Sequence, residues 1–190
     1  TRFVLDRGDA PGYDKKDVNA TDILFMSTRA GSQKYDRVFT EAFIRPGLDA
    51  ERWRNRSNYV ALNVVPTGPN EMSIYHRSGD RYVLRTDGFV SVHAGSQTGE
   101  LITRSLIFSG KKLHLNLSTS AVGLVQVEVQ DEAGKPVSGF TLNDCLVVYG
   151  DGIDLIVKWK NGRNLSSLVG QSVRVRFVMK ECDLFSFRFQ

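Results

Sequence analysis

One segment, "RPGLDAERWRNRSNYV" at residues 45–60, concentrates side chains that can bind a ligand. Four arginines surround Trp53, and Asn55, Asn58 and Tyr59 follow. Arginine donates paired hydrogen bonds to planar anions, and an indole ring offers a face for stacking. The segment therefore predicts a sugar site, a nucleic-acid contact, or a loop that its arginines hold in place.

Two groups of acidic residues contain ligands of the kind that calcium binds. The first is spaced irregularly and interrupted by two lysines, which is typical of an ordinary loop rather than a calcium loop; it comprises Asp6, Asp9, Asp14, Asp17 and Asp22. The second surrounds two glycines and allows at most a structural calcium ion; it comprises Asp144, Asp151 and Asp154. No metal site is predicted, and no other cofactor is indicated.

No catalytic residue stands out. His76, His93 and His114 lie far apart in strand-like segments, where histidine is more often a surface or core residue than a base. The HExxH, GxSxG and P-loop motifs do not occur. A glycosidase needs two facing carboxyl groups, and none of the 21 acidic residues is singled out as such a pair.

The net charge of +4 is spread along the chain, so the sequence predicts neither a nucleic-acid partner nor a membrane partner. Cys145 and Cys182 form no metal-binding motif, and we expect two buried free thiols, with a disulfide as the alternative. The chain opens with Thr1 rather than Met, which indicates a mature product or a piece of something longer. A secreted or periplasmic location is compatible with this sequence.

Hydrophobic residues alternate with period two in nearly every patterned segment, which predicts an all-β protein of two packed antiparallel sheets. Turn signals separate the segments, including "KNGRN" and "KECD". Single helical turns are expected in "LDAERWRN" and in "NLSSLVG", the second capped by Asn164 or Ser166. In "LIVKWK" the alternation places Trp159 on the core face.

The sequence changes near residue 78 from loop-rich segments to a regular strand pattern, which predicts two parts. Residues 1–78 are loop-rich with few strands, and residues 79–190 read as a regular, compact β-sandwich. The first part has too few strands to enclose a core alone, so it is expected to pack either on the sandwich or on missing chain.

The segments "RYVLRTDGFVSVHAG" and "GDGIDLIVKWKNGRNLSSLVGQSVRVRFVMKECDLFSFRF" resemble the C-terminal region of bacterial proteins related to five-bladed β-propeller glycoside hydrolases. Upstream, "WRNRSNYVALNVVPTGPNEMSIY" is similar to the end of the propeller. The resemblance implies a last propeller blade over 1–78 followed by a jelly-roll-like β-sandwich over 79–190. Here only "HRSGD" joins the two, a shorter connection than the resemblance leads one to expect.

The resemblance implies a non-catalytic, carbohydrate-associated module, because the catalytic carboxylates of the related hydrolases belong to earlier blades. Its implied partners are a carbohydrate or polysaccharide and upstream blades of the same parent chain. The candidate sugar-contacting residues are Arg45, Trp53, Asn55, Arg56 and Asn58. The alternatives are a part of an active glycoside hydrolase and a purely structural or protein-interaction sandwich.

Overall fold

The computed structural model describes residues 1–5, 19–53 and 57–190. Within these ranges the regular elements are β-strands and single 3₁₀ turns, so the predicted all-β class is confirmed. No helix among the described residues is long and apolar enough to cross a bilayer. The chain divides into two compact units, Thr1–Val83 and Leu84–Gln190.

The first unit contains short strands joined by long irregular segments. Its strands are β1 (Arg2–Val4), β2 (Ala20–Asp22), β3 (Val65–Gly68), β4 (Glu71–Tyr75) and β5 (Arg81–Arg85), the last of which begins here. Strands β1 and β2 pair as an antiparallel ribbon, while β3, β4 and β5 form a three-stranded sheet. A 3₁₀ turn spans Ala50–Trp53, where a helical turn was predicted. Whether this unit is a propeller blade stays a prediction.

The second unit is built around two 18-residue strands. Its strands are β6 (Val92–Ala94), β7 (Gly99–Ile102), β8 (Leu106–Ile107), β9 (Leu113–Gln130), β10 (Asp151–Ile156) and β11 (Ser172–Phe189). Strands β9 and β11 pair antiparallel along nearly their whole length. Strands β10 and β6 flank one end of this pair, whereas β7 and β8 extend the other end through β11.

Both ends of the long pair face one hydrophobic core. The inward side chains alternate along the strands, as the period-two pattern predicted, and the most deeply buried are Leu113, Leu115, Leu117, Val125, Val127, Val129, Val173, Val175, Phe177 and Met179. Because residues from both ends belong to the same cluster, the bent sheet closes on itself as a β-sandwich.

The bend lies at "KECD". A turn between two strands was predicted there, and that prediction is wrong, because β11 is continuous through this segment. Glu181 adopts a φ of 42° and forms a β-bulge between Lys180 and Cys182, so β11 continues through the segment. Residue 181 is the one β11 residue between the pairs Lys180–Leu124 and Cys182–Thr119, whereas β9 has four residues there, 120–123. The buried positions of β11 change from odd numbers up to Met179 to even numbers at Cys182 and Leu184. On β9 the opposing residues 120–122 are exposed.

The segment after β10 follows the predicted alternation. Val157 and Trp159 are buried, whereas Lys158 and Lys160 are exposed. The turn predicted at "KNGRN" contains a 3₁₀ turn, Lys160–Gly162. A further 3₁₀ turn, Leu165–Leu168, has its N-cap at Asn164, as predicted.

Candidate functional site

Trp53 ends a 3₁₀ turn that Asp49 initiates. The Asp49 Oδ1 atom accepts a hydrogen bond from the backbone N–H of Glu51 at 3.0 Å, which satisfies a donor at the start of the turn. The indole Nε1 of Trp53 then donates to the carbonyl oxygen of Gly47 at 2.9 Å. This bond helps fix the orientation of the indole ring within its own loop.

Arg52 anchors the same turn. Its guanidinium contacts the Asp80 carboxylate and the Tyr82 hydroxyl, and its Cζ lies 5.7 Å from the centroid of the Tyr82 ring. The hydrogen bond with Tyr82 raises the pKa of Arg52 above its usual value, with Asp80 adding to the effect. One of the four arginines in the segment therefore holds the loop in place, as one of the sequence interpretations expected.

Asn58 joins this loop to strand β2. Its Nδ2 donates to the backbone oxygens of Thr21 at 2.7 Å and Arg52 at 2.6 Å, and its backbone N–H donates to Thr21 Oγ1 at 3.0 Å. The residue is only 1% exposed. Asn58 thus connects the 3₁₀ turn that ends at Trp53 to strand β2, and its side-chain amide nitrogen donates both of its hydrogen bonds to backbone oxygens.

The β1–β2 ribbon supplies a charged pair beside the loop. Arg2 lies opposite Asp22 in the ribbon register and contacts its carboxylate through two nitrogen atoms, one of them Nε at 3.1 Å. The third nitrogen of the guanidinium donates to the backbone oxygen of Thr40 at 3.0 Å. All the guanidinium nitrogens are thereby used, and the ribbon is joined to the segment that leads to Arg45.

These elements enclose a pocket of about 650 Å³ within the first unit. Its lining combines an aromatic ring, apolar surface, hydroxyls and charges, and comprises Arg2, Val4, Ala20, Thr21, Asp22, Thr40, Glu41, Ala42, Arg45, Pro46, Gly47, Leu48 and Trp53. Arg45 is exposed and makes no hydrogen bond or ion pair with any described residue. Among the described residues, none therefore competes with a ligand for its guanidinium.

Two of these lining residues, Arg45 and Trp53, belong to the sugar-contacting set that the sequence predicts. The structure brings Arg45 and Trp53 to the lining of one pocket, whereas Asn58 is bonded to the backbone of Thr21 and Arg52 and is not part of that lining. Asn55 and Arg56 lie outside the described residues. The contributions of β1 and β2 were missed because only their pairing brings residues near position 2 and position 22 to the loop, and neither three-residue strand has a detectable pattern.

The lining supports binding better than hydrolysis. Two carboxylate side chains occur among the lining residues, those of Asp22 and Glu41. Asp22 is held in its ion pair with Arg2, whereas a glycosidase requires one carboxyl as acid and the other as nucleophile or base. The fixed indole of Trp53 and the available guanidinium of Arg45 are instead suited to holding a polar, ring-shaped ligand.

The remaining acidic and histidine candidates have protein partners. The Asp151 carboxylate accepts a hydrogen bond from the Arg85 guanidinium, and the Asp144 carboxylate accepts one from the Thr141 hydroxyl at 2.8 Å. Asp154 contacts both His114 Nδ1 at 2.7 Å and Arg188. Among the described residues, no group of three or more metal-ligating side chains is arranged to hold an ion. Of the first acidic group only Asp22 lies in the described part of the chain.

Comparison with protein-family models, with curated proteins and with solved structures finds no match to this chain.

Proposed function

We propose that this protein is a non-catalytic carbohydrate-binding β-protein and that the saccharide occupies the 650 Å³ pocket beside Trp53. The observation that carries the proposal is the presence of Arg45 and Trp53 in the lining of one pocket. The pocket volume lies within the range of about 300–1,000 Å³ that small-molecule sites occupy.

Three of the lining residues contact the saccharide in this proposal. The Trp53 ring, fixed by its bond to Gly47, stacks on the apolar face of a sugar ring. Arg45 donates to hydroxyl or carboxylate oxygens, and Glu41 accepts from hydroxyl groups. Because the ring is already held by its own loop, little conformational entropy is lost when a ligand binds.

The charges favour a neutral or weakly acidic saccharide. Arg2 and Asp22 neutralise one another, and Arg45 is offset by Glu41 among the lining residues. As part of the same proposal, the module belongs to a glycoside hydrolase-like parent protein. That part rests on the sequence resemblance alone.

A glycan array tests the proposal directly. We expect the wild-type protein to bind one class of sugar and Trp53→Ala to lose about two- to tenfold in affinity, since stacking contributes roughly 0.5–1.5 kcal/mol. Arg45→Ala is expected to weaken the same interaction. Tyr35→Ala and Arg37→Ala are matched controls, because both residues are exposed and lie outside the pocket lining.

The outcomes separate the rival functions. A blank array from folded protein would overturn the proposal and favour a structural or protein-interaction role. Hydrolysis of a bound glycan by this chain, abolished by Glu41→Gln, would overturn the non-catalytic part of the proposal. Circular dichroism of Trp53→Ala distinguishes a lost ligand contact from a lost fold, and Trp53→Phe retains a stacking ring if the alanine variant unfolds.

A further inference from the structure

A second pocket, of about 730 Å³, lies in the Leu84–Gln190 unit. Five cationic side chains line it: Lys111, Lys112, Lys158, Lys160 and Arg163. All five residues are exposed. None of them makes an ion pair or a side-chain hydrogen bond with a described residue.

Three other arginines of this unit have carboxylate partners. Arg85, Arg176 and Arg188 each contact at least one carboxylate of the unit. Arg176, for example, is shared between Glu100 and Glu128. Within the described part of the unit, the five pocket cations are thus a local concentration of positive charge without carboxylate partners.

Backbone hydrogen bonds fix the positions from which the lysines project. The N–H groups of Lys111 and Lys112 donate to the carbonyl oxygen of Gln190 at 2.7 and 2.8 Å. Lys160 N–H donates to the Asp144 carbonyl oxygen at 2.8 Å, and the Lys158 carbonyl oxygen accepts from Leu146 at 2.9 Å. The pocket is therefore built on the ordered framework of the sandwich, not on an unsupported loop.

Arg163 is placed by close packing. A Cβ atom added to Gly139 would lie 2.4 Å from a terminal guanidinium nitrogen of Arg163, and Gly139 has a φ of 86°. Glycine adopts this backbone conformation without strain, and any side chain at position 139 would have to displace the guanidinium from this place. The guanidinium thus lies directly over the Gly139 backbone.

The acidic side chain of Asp144 lies close enough to Lys160 and Arg163 for their charges to act on it, and it is already bonded. The Asp144 carboxylate accepts hydrogen bonds from the Thr141 hydroxyl at 2.8 Å and the Thr141 N–H at 3.1 Å. These bonds, followed by the charges of Lys160 and Arg163, hold the pKa of Asp144 below its usual value. One carboxylate leaves most of the positive charge around the pocket uncompensated.

The lining also indicates which kind of anion fits. Single-stranded nucleic acids are held by exposed aromatic rings on which bases stack, but Trp159, the aromatic residue of this lining, is only 2% exposed. Duplex binding requires an extended basic face, whereas these cations surround one concave pocket. Lysine ammonium groups bind the oxyanions of sulfate and phosphate as point charges.

We propose that this pocket binds a small ligand that carries several sulfate or phosphate groups, such as a sulfated or phosphorylated saccharide. The site is separate from the pocket beside Trp53, and this inference does not depend on the carbohydrate proposal made for that pocket. Ligand oxyanions replace the missing carboxylate partners of the five cations and relieve the repulsion between them.

Isothermal titration calorimetry with two probes tests the site: sucrose octasulfate and inorganic pyrophosphate. We expect wild-type protein to bind the octasulfate, with affinity that falls as salt is raised. Lys158→Glu/Lys160→Glu should lose at least about tenfold, because each change replaces an attraction by a repulsion. The control Arg104→Glu/Lys135→Glu changes the net charge equally at exposed positions outside the pocket and should stay within about twofold.

Each outcome of the calorimetry either supports or overturns the proposed anion site. Octasulfate binding that only the pocket variant loses supports the site, and comparable pyrophosphate binding would assign recognition to the oxyanions alone rather than to the sugar. Absence of octasulfate binding by folded wild-type protein overturns the proposal. Equal losses in the pocket and control variants also overturn it, since they would reflect overall charge. Trp53→Ala should leave octasulfate binding unchanged, which separates this site from the first pocket.

Discussion

A Cβ atom added to Gly123 would lie only 2.4 Å from the carbonyl oxygen of Glu181. The two residues occupy opposite strands at the bend of the long β9–β11 pair, where Glu181 forms its bulge. The added atom would also lie 2.8 Å from the Thr119 Cβ atom. The bend therefore depends on the close approach of two backbones, which a side chain at position 123 would prevent.

Gly123→Ala should consequently destabilise the second unit. We expect a decrease of about 1–3 kcal/mol in the free energy of unfolding, since the added methyl group must displace backbone. Urea denaturation measures the change. Gly95→Ala is the matched control, because a Cβ there would meet no atom closer than 4.0 Å. Equal stability of the two variants would show that the bend tolerates a side chain.

Trp159 is the largest side chain of the sandwich core, and it packs edge-to-face on Phe140 with the ring centroids 5.3 Å apart. Trp159→Ala should lower the free energy of unfolding by about 3–5 kcal/mol. The indole Nε1 is buried with no hydrogen-bond partner in the described residues. Trp159→Phe removes that unsatisfied donor and should cost less than half as much; a similar loss in both variants would contradict this account.

Trp159 also illustrates what sequence patterns can reveal. Its place in the core followed from the alternation of residues 155–160, and the Asn164 cap followed from residue type and spacing. The continuous 18-residue strands did not follow, because Gly123 and Glu181 resemble ordinary breaks in a strand pattern. A bulge and a turn have similar local sequences, and tertiary pairing decides between them.

The pocket beside Trp53 was only partly predictable for a related reason. Arg45 and Trp53 are close in sequence, so residue type was enough to group them. Arg2, Asp22 and Thr40 reach the same pocket through strand pairing and a side-chain bond to backbone, and neither leaves a local signature. The basic pocket was missed likewise, because its cations come from residues 111–112 and 158–163, which only the fold brings together.

Asn58 should be a stability determinant of the first unit. Asn58→Ala removes both Nδ2 hydrogen bonds and leaves the carbonyl oxygens of Thr21 and Arg52 without this donor. We expect a loss of about 1–3 kcal/mol in the free energy of unfolding, measured by urea denaturation. Asn58→Asp keeps the shape but cannot donate, and should be at least as destabilising. Wild-type stability in both variants would restore Asn58 as a candidate ligand contact.

The two thiols should be unreactive in the folded protein. Burial raises the pKa of Cys182 to about 11, and the charge of Asp183 adds to the shift. Burial also raises the pKa of Cys145, although the N–H of Val127 donates to its sulfur at 3.2 Å. Little thiolate is present at pH 8, so a thiol-specific chromogenic reagent should label both residues only after denaturation. Rapid labelling of the native protein would refute this expectation.

His76 should make the stability of the first unit depend on pH. Burial lowers the pKa of His76, the positive charge of Arg52 lowers it further, and Asp80 opposes the shift. The unfolded chain therefore takes up this proton at a higher pH than the folded chain does. The contribution is fully present above about pH 6.5 and declines as the pH falls toward the lowered folded-state pKa.

Thermal denaturation between pH 7.5 and pH 5 measures that dependence. His76→Gln should flatten the profile below about pH 6.5, because the group that binds the extra proton in the unfolded chain is removed. His93→Gln is the control, since His93 is exposed and its ring contacts Asp183 at 3.1 Å. Retention of the full slope by His76→Gln would assign the pH dependence to another group.

Strands β9 and β11 each run from one layer of the sandwich into the other, so neither layer has a complete set of strands of its own. Because the same two strands belong to both layers, local opening of one layer also disrupts the strand pairing of the other. The amide protons along both strands should therefore exchange with solvent at similar, slow rates that report global unfolding. About 40 residues separate the two strands in the chain. Their pairing is a long-range event, so this sandwich should fold slowly and as one unit.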